Sequence, residues 1–250
     1  MYCRAQRQTH MSSIQRPPNQ LLQALPAEDF ELVGARLKPL QLMRETVLVE
    51  AGVAPAQIVF PHAGAVSIVV NLSEGQSVEV AMIGRDGVVG AREALGDGVS
   101  LTDAIVLFPA AASAIELADF RIVAAQSPAL RGLVTRHGEA LLTQAQQTAA
   151  CNAKHRIPQR LATWILRAQH DSGEDELLLT QEYLAQMLGV QRASVSMFAG
   201  ALQERGLIFY RRGRVRVLDR SGLEAVACEC HAVLRERHEH LFRHDLNQDA

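Results

Sequence analysis

The sequence lacks any apolar run long enough to span a bilayer, and its first 20 residues contain no apolar core of the kind found in secretory signals. A membrane helix needs about 18 or more consecutive apolar residues, and a signal peptide needs a shorter apolar stretch. We therefore expect a cytoplasmic protein without a membrane partner. Residues 1–20 are polar and are expected to form a disordered lead, in which Met11 is an alternative start.

Cysteine is scarce, with 4 residues in a chain of 250, at positions 3, 151, 228 and 230. So few cysteines at uneven spacings do not suggest a disulfide framework, and a reducing compartment is the simple interpretation. The sequence also lacks the serine-nucleophile, phosphate-loop, zinc-protease and dinucleotide-binding motifs that mark common enzyme classes. We predict that the protein is not an enzyme.

Charge is unevenly distributed along the chain, although the formal net charge is only −2. Residues 21–120 contain 13 Asp or Glu against 5 Lys or Arg, whereas residues 180–220 contain 7 Arg against 3 Asp or Glu. A basic segment on an acidic chain is typical of a protein in which one region contacts a polyanion. Ordinary charge variation is the alternative, since the counts are small.

Hydrophobic periodicity changes twice along the chain. After a short helical stretch in residues 19–38, residues 41–118 form β-prone runs separated by glycines about ten residues apart, with alternation in Val66, Ile68, Val70 and in Val78, Val80, Met82. This spacing is typical of a small antiparallel sandwich or barrel. Residues 127–152 then return to a helical period, with an apolar stripe from Leu130 to Thr148. Such a long helix either packs on its own domain or pairs with a copy of itself.

The segment LTQEYLAQMLGVQRASVSMFAGALQERGLI predicts two short helices around Gly189, the first capped by Thr180. The second helix is expected from about Arg192 to Arg205. Val195, Phe198 and Leu202 would face the core, while Arg192, Ser194 and Ser196 face outward. A helix of this kind can enter the DNA major groove with its first residues against base edges.

Next comes LIFYRRGRVRVL, two β-prone runs around Arg212-Gly213, which predicts a hairpin or wing. Alternation places Arg212, Arg214 and Arg216 on one face, opposite Val215 and Val217. Guanidinium groups on one ribbon suit phosphate contacts. A solvated edge strand protected by charge is the alternative.

In this order of elements the sequence resembles the Crp/Fnr family of bacterial transcription regulators, over about residues 21–226. The most specific part is the helix-turn-helix segment with the following RRGRVRV, and IGRDGVVGAREALGD supports the N-terminal half. The resemblance implies an α+β fold: an N-terminal antiparallel β-roll of cupin-like jelly-roll type, a long dimerisation helix and a C-terminal winged helix-turn-helix. The implied ranges are 21–126 for a cyclic-nucleotide-binding-like sensor domain, 127–156 for the helix, 157–226 for the DNA-binding domain and 227–250 for a C-terminal tail.

The resemblance implies a homodimer that binds double-stranded DNA at a pseudo-palindromic site and regulates transcription, with RNA polymerase as a further candidate partner. Arg192 matches the first recognition-helix arginine of the family. Ala193 stands where the family often has glutamate, and Met197 stands where it has a further arginine. The expected DNA-binding residues are Thr180, Gln191, Arg192, Ser194, Ser196, Arg211, Arg212, Arg214 and Arg216.

Family members that bind cyclic nucleotides have a Gly-Glu pair and an Arg-Ser or Arg-Thr pair, which here read Gly90-Ala91 and Leu101-Thr102. Because Asp103 follows where a phosphate would bind, repulsion disfavours that ligand. A cyclic nucleotide is therefore not expected and no cofactor is predicted. Gly90, Arg92 and Thr102 are the candidate effector-binding residues. The alternative function is a small-molecule receptor or scaffold that signals through protein contacts, with a degenerate DNA domain.

Iron–sulfur members of the family cluster cysteines near the N-terminus, where this chain has only Cys3, so no such cluster is expected. Cys228-Glu229-Cys230-His231, with His238, His240 and His244, permits two interpretations: a metal or redox site, or a solvated amphipathic helix with free thiols. We predict no metal site. Cys151 is expected to be a core residue, and His137 and His155 are expected to be packed or hydrogen-bonded rather than haem ligands.

Overall fold

Two antiparallel sheets form the first half of the chain in a computed structural model, which describes residues 15–96 and 98–243. One sheet has the order β1-β7-β3 and the other β2-β6-β4-β5. Their strands are β1 (Lys38–Leu42), β2 (Val47–Val49), β3 (Gln57–Pro61), β4 (Ala65–Asn71), β5 (Ser77–Ile83), β6 (Asp103–Phe108) and β7 (Ala110–Glu116). Most of the predicted N-terminal lead, with Cys3 and Met11, lies outside the described residues, as do His244 and the side chains of His238 and His240.

Four short helices accompany the sheets: α1 (Gln20–Ala24), α2 (Ala27–Gly34), α3 (Ala91–Leu95) and α4 (Leu117–Gln126). The sequence patterns did not predict α3 or α4. Helix α4 follows β7 directly, and its buried residues Phe120 and Val123 pack in one cluster with Leu22, Phe30 and Phe60. This cluster closes the end of the roll from which the long helix departs.

The strict alternation predicted for two strands is wrong in detail. In β4 the register shifts between Ile68 and Val69, so Val66 and Val69 are buried and Ile68 is only half-buried. A bulge of this kind inserts one residue and reverses the inward face. In β5 the charged residue Glu79 is buried, while its neighbours Val78 and Val80 are half-buried.

The long helix α5 (Pro128–Lys154) begins after Ser127, whose hydroxyl caps the first turn by accepting a hydrogen bond from the Leu130 amide at 2.9 Å. Its apolar stripe packs against the roll through Leu130, Leu133 and Val134. Further along, Gln144 accepts a hydrogen bond from the amide of Met82 at 3.0 Å. Of the two roles open for this stripe, packing on its own domain is the one observed. Across the described chain, no helix is both long and apolar enough to cross a membrane.

The second half of the chain is a small helical domain with a three-stranded sheet of order β8-β10-β9. Its elements are α6 (Ile157–Ser172), β8 (Glu176–Leu178), α7 (Gln181–Leu188), α8 (Arg192–Glu204), β9 (Ile208–Arg211), β10 (Arg214–Val217), α9 (Arg220–Val226) and α10 (Cys230–Arg243). The predicted second helix, Pro158 to His170, corresponds to α6.

One hydrophobic cluster joins the two halves of the molecule. It contains Met82 and Phe108 from the roll together with Leu161, Ile165 and Leu184 from the C-terminal domain. Arg167 of α6 reinforces the contact by donating a hydrogen bond to the carbonyl of Met82 at 2.9 Å. The C-terminal domain is thus packed on the roll over a continuous apolar surface.

Candidate nucleic-acid interface

The first helix of the turn motif is bounded at both ends by local capping. The Thr180 hydroxyl accepts a hydrogen bond from the Tyr183 amide at 3.1 Å and so caps α7, as the sequence indicated. Gly189 ends α7 in the left-handed conformation, with φ of 63°, which glycine adopts without the steric cost that other residues incur. Val190 follows, half-buried, and Gln191 is the first residue before α8.

Helix α8 buries one face and exposes the other. Val195, Ala199 and Leu202 are buried in the domain core, and Phe198 packs partly against it. On the outer face Arg192 has 68% of its side chain exposed, and its Nε lies 3.9 Å from a carboxylate oxygen of Glu182. A surface pair at this distance contributes little, so the guanidinium is available to a polyanion.

The other DNA-binding candidates at the start of this helix differ in their solvent exposure and in their existing hydrogen bonds. Gln191 is exposed and makes no capping bond with its side chain. Ser196 is exposed, but its hydroxyl accepts a hydrogen bond from Gln181 at 3.3 Å, and Ser194 is half-buried. Gln191 and Arg192 therefore present the most accessible donors at the start of the helix.

The wing is a two-residue hairpin. Arg212 and Gly213 both have positive φ, 51° and 74°, which is the backbone of the tight turns that match strand twist. The strands pair with Val215 opposite Tyr210, and Val215 is fully buried. Tyr210 is held by a bond from its hydroxyl to the Leu179 carbonyl at 2.9 Å, and burial raises its pKa to about 12.

The wing arginines are all exposed, but they are not equivalent. Arg214 donates to a carboxylate oxygen of Glu176 at 2.5 Å, and the guanidinium of Arg216 lies 5.9 Å from the centre of the Phe209 ring. Glu176 belongs to β8, a third strand that the sequence patterns did not predict. Of the arginines predicted on one face of the ribbon, Arg214 is therefore paired with an acidic residue.

A cavity of about 190 Å³ lies between the roll and α5, and it brings together the three effector candidates, Gly90, Arg92 and Thr102. Arg92 donates to Glu93 at 3.0 Å, so its charge is already paired. Asp103 is held away from the cavity, because its carboxylate accepts hydrogen bonds from the Ala51 amide at 2.7 Å and from the Asn71 side chain at 2.5 Å. His137, expected from the sequence to be packed or hydrogen-bonded, is buried and also lines the cavity.

The C-terminal cysteines are not on a solvated face, contrary to one of the two interpretations of the CECH segment. Cys228 and Cys230 are buried and form one cluster with Cys151. The hydrogen bond shared with Cys151 lowers the pKa of the Cys228 thiol. Cys151 is buried as predicted, but its neighbours are polar thiols as well as core residues.

Comparison with known proteins agrees with this architecture. Residues 159–226 match the family model of the Crp-like helix-turn-helix domain. A putative Crp/Fnr-family regulator from Eubacterium rectale is 15% identical, with 82% of this chain and 96% of that one covered and a TM-score of 0.62. A CRP-family regulator from Thermus thermophilus is 19% identical, with 75% and 96% covered and a TM-score of 0.63.

The c-di-GMP-responsive global regulator CLP from Xanthomonas campestris is 15% identical, with 77% of this chain and 99% of that one covered and a TM-score of 0.63. None of the curated proteins matches the chain in sequence. The fold is thus that of Crp/Fnr transcription regulators, which confirms the predicted α+β architecture and the resemblance. Residues 159–226 are similar to the Crp-like helix-turn-helix domain, and the described chain shares the fold of the Crp/Fnr regulators compared with it.

Proposed function

We propose that the protein binds double-stranded DNA as a homodimer at a pseudo-palindromic site and regulates transcription there. The observation that supports this most strongly is the arrangement of α8: its core face is buried, and Gln191 and Arg192 project from its exposed N-terminal end. The Crp-like domain match covers α8 and the wing together. Chromosomal DNA as the partner would place the activity in the cytoplasm, and no enzymatic reaction is proposed.

The exposed face of α5 supports the dimer. Residues along it follow a seven-residue repeat, small or apolar in the middle and polar at both ends: Thr135, Gly138, Leu142, Ala145, Ala149 and Asn152. Leu142 is 60% exposed, which is unusual for a leucine on a long helix and suits a seam between two helices. The stripe identified from the sequence, which shares Ala145 with this repeat, lies on the adjacent face of the same helix. Two copies joined along α5 would present two recognition helices to half-sites about one DNA turn apart.

The cavity beside α5 supports a sensor role for the roll. Leu142 and Ala145, which belong to the proposed seam, line the same cavity as Gly90 and Thr102. A small molecule bound there would contact both the roll and the dimer helix. Arg92 could bind an anionic group of that molecule only if its guanidinium left Glu93 and paired with the ligand instead. We therefore propose a small-molecule effector that is not a classical cyclic nucleotide.

Selection of bound duplexes from a random library by the full-length protein tests the proposal. We expect a pseudo-palindromic sequence, and Arg192→Ala should weaken binding to it by ~1–3 kcal/mol, the cost of one base-reading arginine. Arg205→Ala is the matched control, because it removes the same charge from the end of α8. Failure to enrich any sequence, with and without cell extract, would favour the alternative of a receptor or scaffold acting through protein contacts.

A further inference from the structure

Four potential metal ligands meet where α5 ends and α10 begins. Cys151 lies on the last turn of α5, and His155 is its C-cap residue. Cys228 and Cys230 lie at the junction between α9 and α10. The ligand atoms of the four residues all lie within 4.8 Å of one another. None of the four belongs to the recognition helix, the wing or the cavity beside Gly90.

The distances fit a tetrahedral metal ion. Cys151 Sγ is 3.6 Å from Cys228 Sγ, and Cys230 Sγ is 3.4 Å from His155 Nδ1. Zinc bonds of about 2.3 Å to sulfur and about 2.0 Å to nitrogen place ligand atoms roughly 3.5–3.8 Å apart in a tetrahedron. A disulfide would need sulfurs about 2.05 Å apart. The thiols are therefore grouped but not bonded.

The surroundings are those of a metal-binding histidine and metal-binding thiolates. His155 directs Nδ1 at Cys230, while its Nε2 lies 3.0 Å from a carboxylate oxygen of Glu229. In many zinc sites, a carboxylate hydrogen-bonded to the ring nitrogen that does not bind the metal fixes the orientation and the tautomer of the histidine. Gln147 donates to Cys230 Sγ at 3.0 Å, and the Thr163 hydroxyl lies 3.2 Å from Cys228 Sγ.

The local charge also suits three thiolates. With one divalent ion and a neutral imidazole, three ionised cysteines leave a net charge of −1. Arg160 of α6 lines the same cavity as Cys151 and Cys230. One terminal nitrogen of its guanidinium donates to the Leu188 carbonyl, whereas its Nε is buried and makes no hydrogen bond to any described residue, so Nε can face that charge while the bond to Leu188 is kept.

We propose that Cys151, His155, Cys228 and Cys230 bind one Zn²⁺ ion that ties the end of α5 to the start of α10. Three cysteines and one histidine are a soft ligand set that disfavours magnesium and calcium. Four protein ligands leave no open position, so the site is structural rather than catalytic. On binding, three thiols release their protons to solvent and become thiolate ligands.

The position of the site gives it a mechanical role. The chain leaves α5 at His155, passes through the whole winged-helix domain and returns to the same point at Cys228. An ion at this point would hold both ends of that domain to the dimer helix. The inference does not depend on DNA binding, because metal content is measured on the protein alone.

The test begins with full-length protein purified under reducing conditions, supplied with Zn²⁺, desalted and analysed by mass spectrometry for zinc, iron, copper and nickel. We expect one zinc per chain. Serine substitution of Cys151, Cys228 or Cys230 should reduce the zinc content at least tenfold. Cys3→Ser, which removes a cysteine of the N-terminal segment, is the matched control and should keep one zinc. Folded protein without bound metal, or with iron in place of zinc, would overturn the proposal.

A second variant tests the zinc site at a residue whose substitution should leave the protein folded, so that a loss of zinc cannot be explained by unfolding. Glu229 is 73% exposed, so Glu229→Ala should fold normally yet weaken zinc binding about 10- to 100-fold, as for other carboxylates behind a ligating histidine. Competition with a chromophoric chelator measures this, and Glu236→Ala on the exposed side of α10 is the control. Equal zinc affinity in the two variants would contradict the proposed arrangement in which Glu229 supports His155 as a ligand. Replacement of zinc by Co²⁺ should give thiolate charge-transfer absorption, and its absence would contradict a cysteine site.

Discussion

The indole nitrogen of Trp164 donates a hydrogen bond to a carboxyl oxygen of Glu79 at 2.8 Å, linking strand β5 of the roll to helix α6 of the C-terminal domain. The other carboxyl oxygen accepts a bond from Ser67 at 2.5 Å. Glu79 is buried, and burial raises its pKa to about 7 despite these bonds and the nearby charge of Arg167. A titratable group therefore lies in the junction through which a signal from the roll would reach the helix-turn-helix.

This pair makes stability depend on pH. Below about pH 4.5 the carboxyl is protonated in both the folded and the unfolded chain, and it does not lower the free energy of unfolding. Between about pH 4.5 and 7 the unfolded chain releases the proton first, so the free energy of unfolding falls as the pH rises, and it levels off above 7. The full effect is at most about 3 kcal/mol. Glu79→Gln can still accept the bond from Trp164 and can donate its amide to the Ser67 hydroxyl, and it removes the titration.

We therefore expect Glu79→Gln to be more stable than the wild type at pH 8, by about 1–3 kcal/mol, and nearly equal to it at pH 4. Chemical denaturation at the two pH values measures the difference. Glu74→Gln, in the exposed turn before β5, is the control and should show no such dependence. A stability difference of the same size at both pH values would mean that Glu79 is ionised in the folded protein.

The sequence predicted what depends on local periodicity and capping. The run of glycines marked the roll, Thr180 and Gly189 bounded α7, and the alternation around Val215 marked the wing. The sequence did not predict features that depend on contacts between residues far apart in the chain. The burial of Glu79 depends on Trp164, which is 85 positions away. The pairing of Arg214 depends on Glu176, 38 positions away.

The cysteine cluster is a further example of the same limit. Cys151 and Cys228 are 77 positions apart, and no short motif contains both. The CECH segment gave a local signal, but it indicated His231 as the nearby histidine. The structure brings His155 to the thiols instead, because the C-terminus of α5 and the start of α10 meet at one point.

The wing arginines should contribute unequally to DNA affinity. Arg216→Ala should lower affinity for all sequences and reduce the slope of log affinity against log salt by about one, because one phosphate contact is lost. Arg214→Ala should change the slope less, since Glu176 already neutralises that guanidinium. Binding titrations over a range of salt concentrations measure both slopes. A larger change for Arg214→Ala would show that DNA displaces Glu176.

Two glycines of the helix-turn-helix should respond in opposite ways to alanine. Gly189 has a positive φ and no close neighbour except Val78 at 3.8 Å, so Gly189→Ala should cost about 1 kcal/mol of stability through backbone strain alone. Gly200 lies inside α8 with open space around it, so Gly200→Ala should stabilise the protein by up to about 1 kcal/mol. Denaturant unfolding compares them, and destabilisation by both would indicate that α8 needs flexibility at Gly200.

The exposed leucine of α5 gives the most direct test of the dimer. Leu142→Glu places a charge at the centre of the proposed seam, and two like charges facing each other without water are strongly unfavourable. We expect sedimentation to report half the mass of the wild type and binding to a full operator to fall towards that of a single half-site. Ile122→Glu, at an exposed apolar residue of α4, is the matched control and should remain dimeric. If Leu142→Glu is still a dimer while its operator binding is intact, the two copies associate through another surface, and the seven-residue repeat on α5 has a different role.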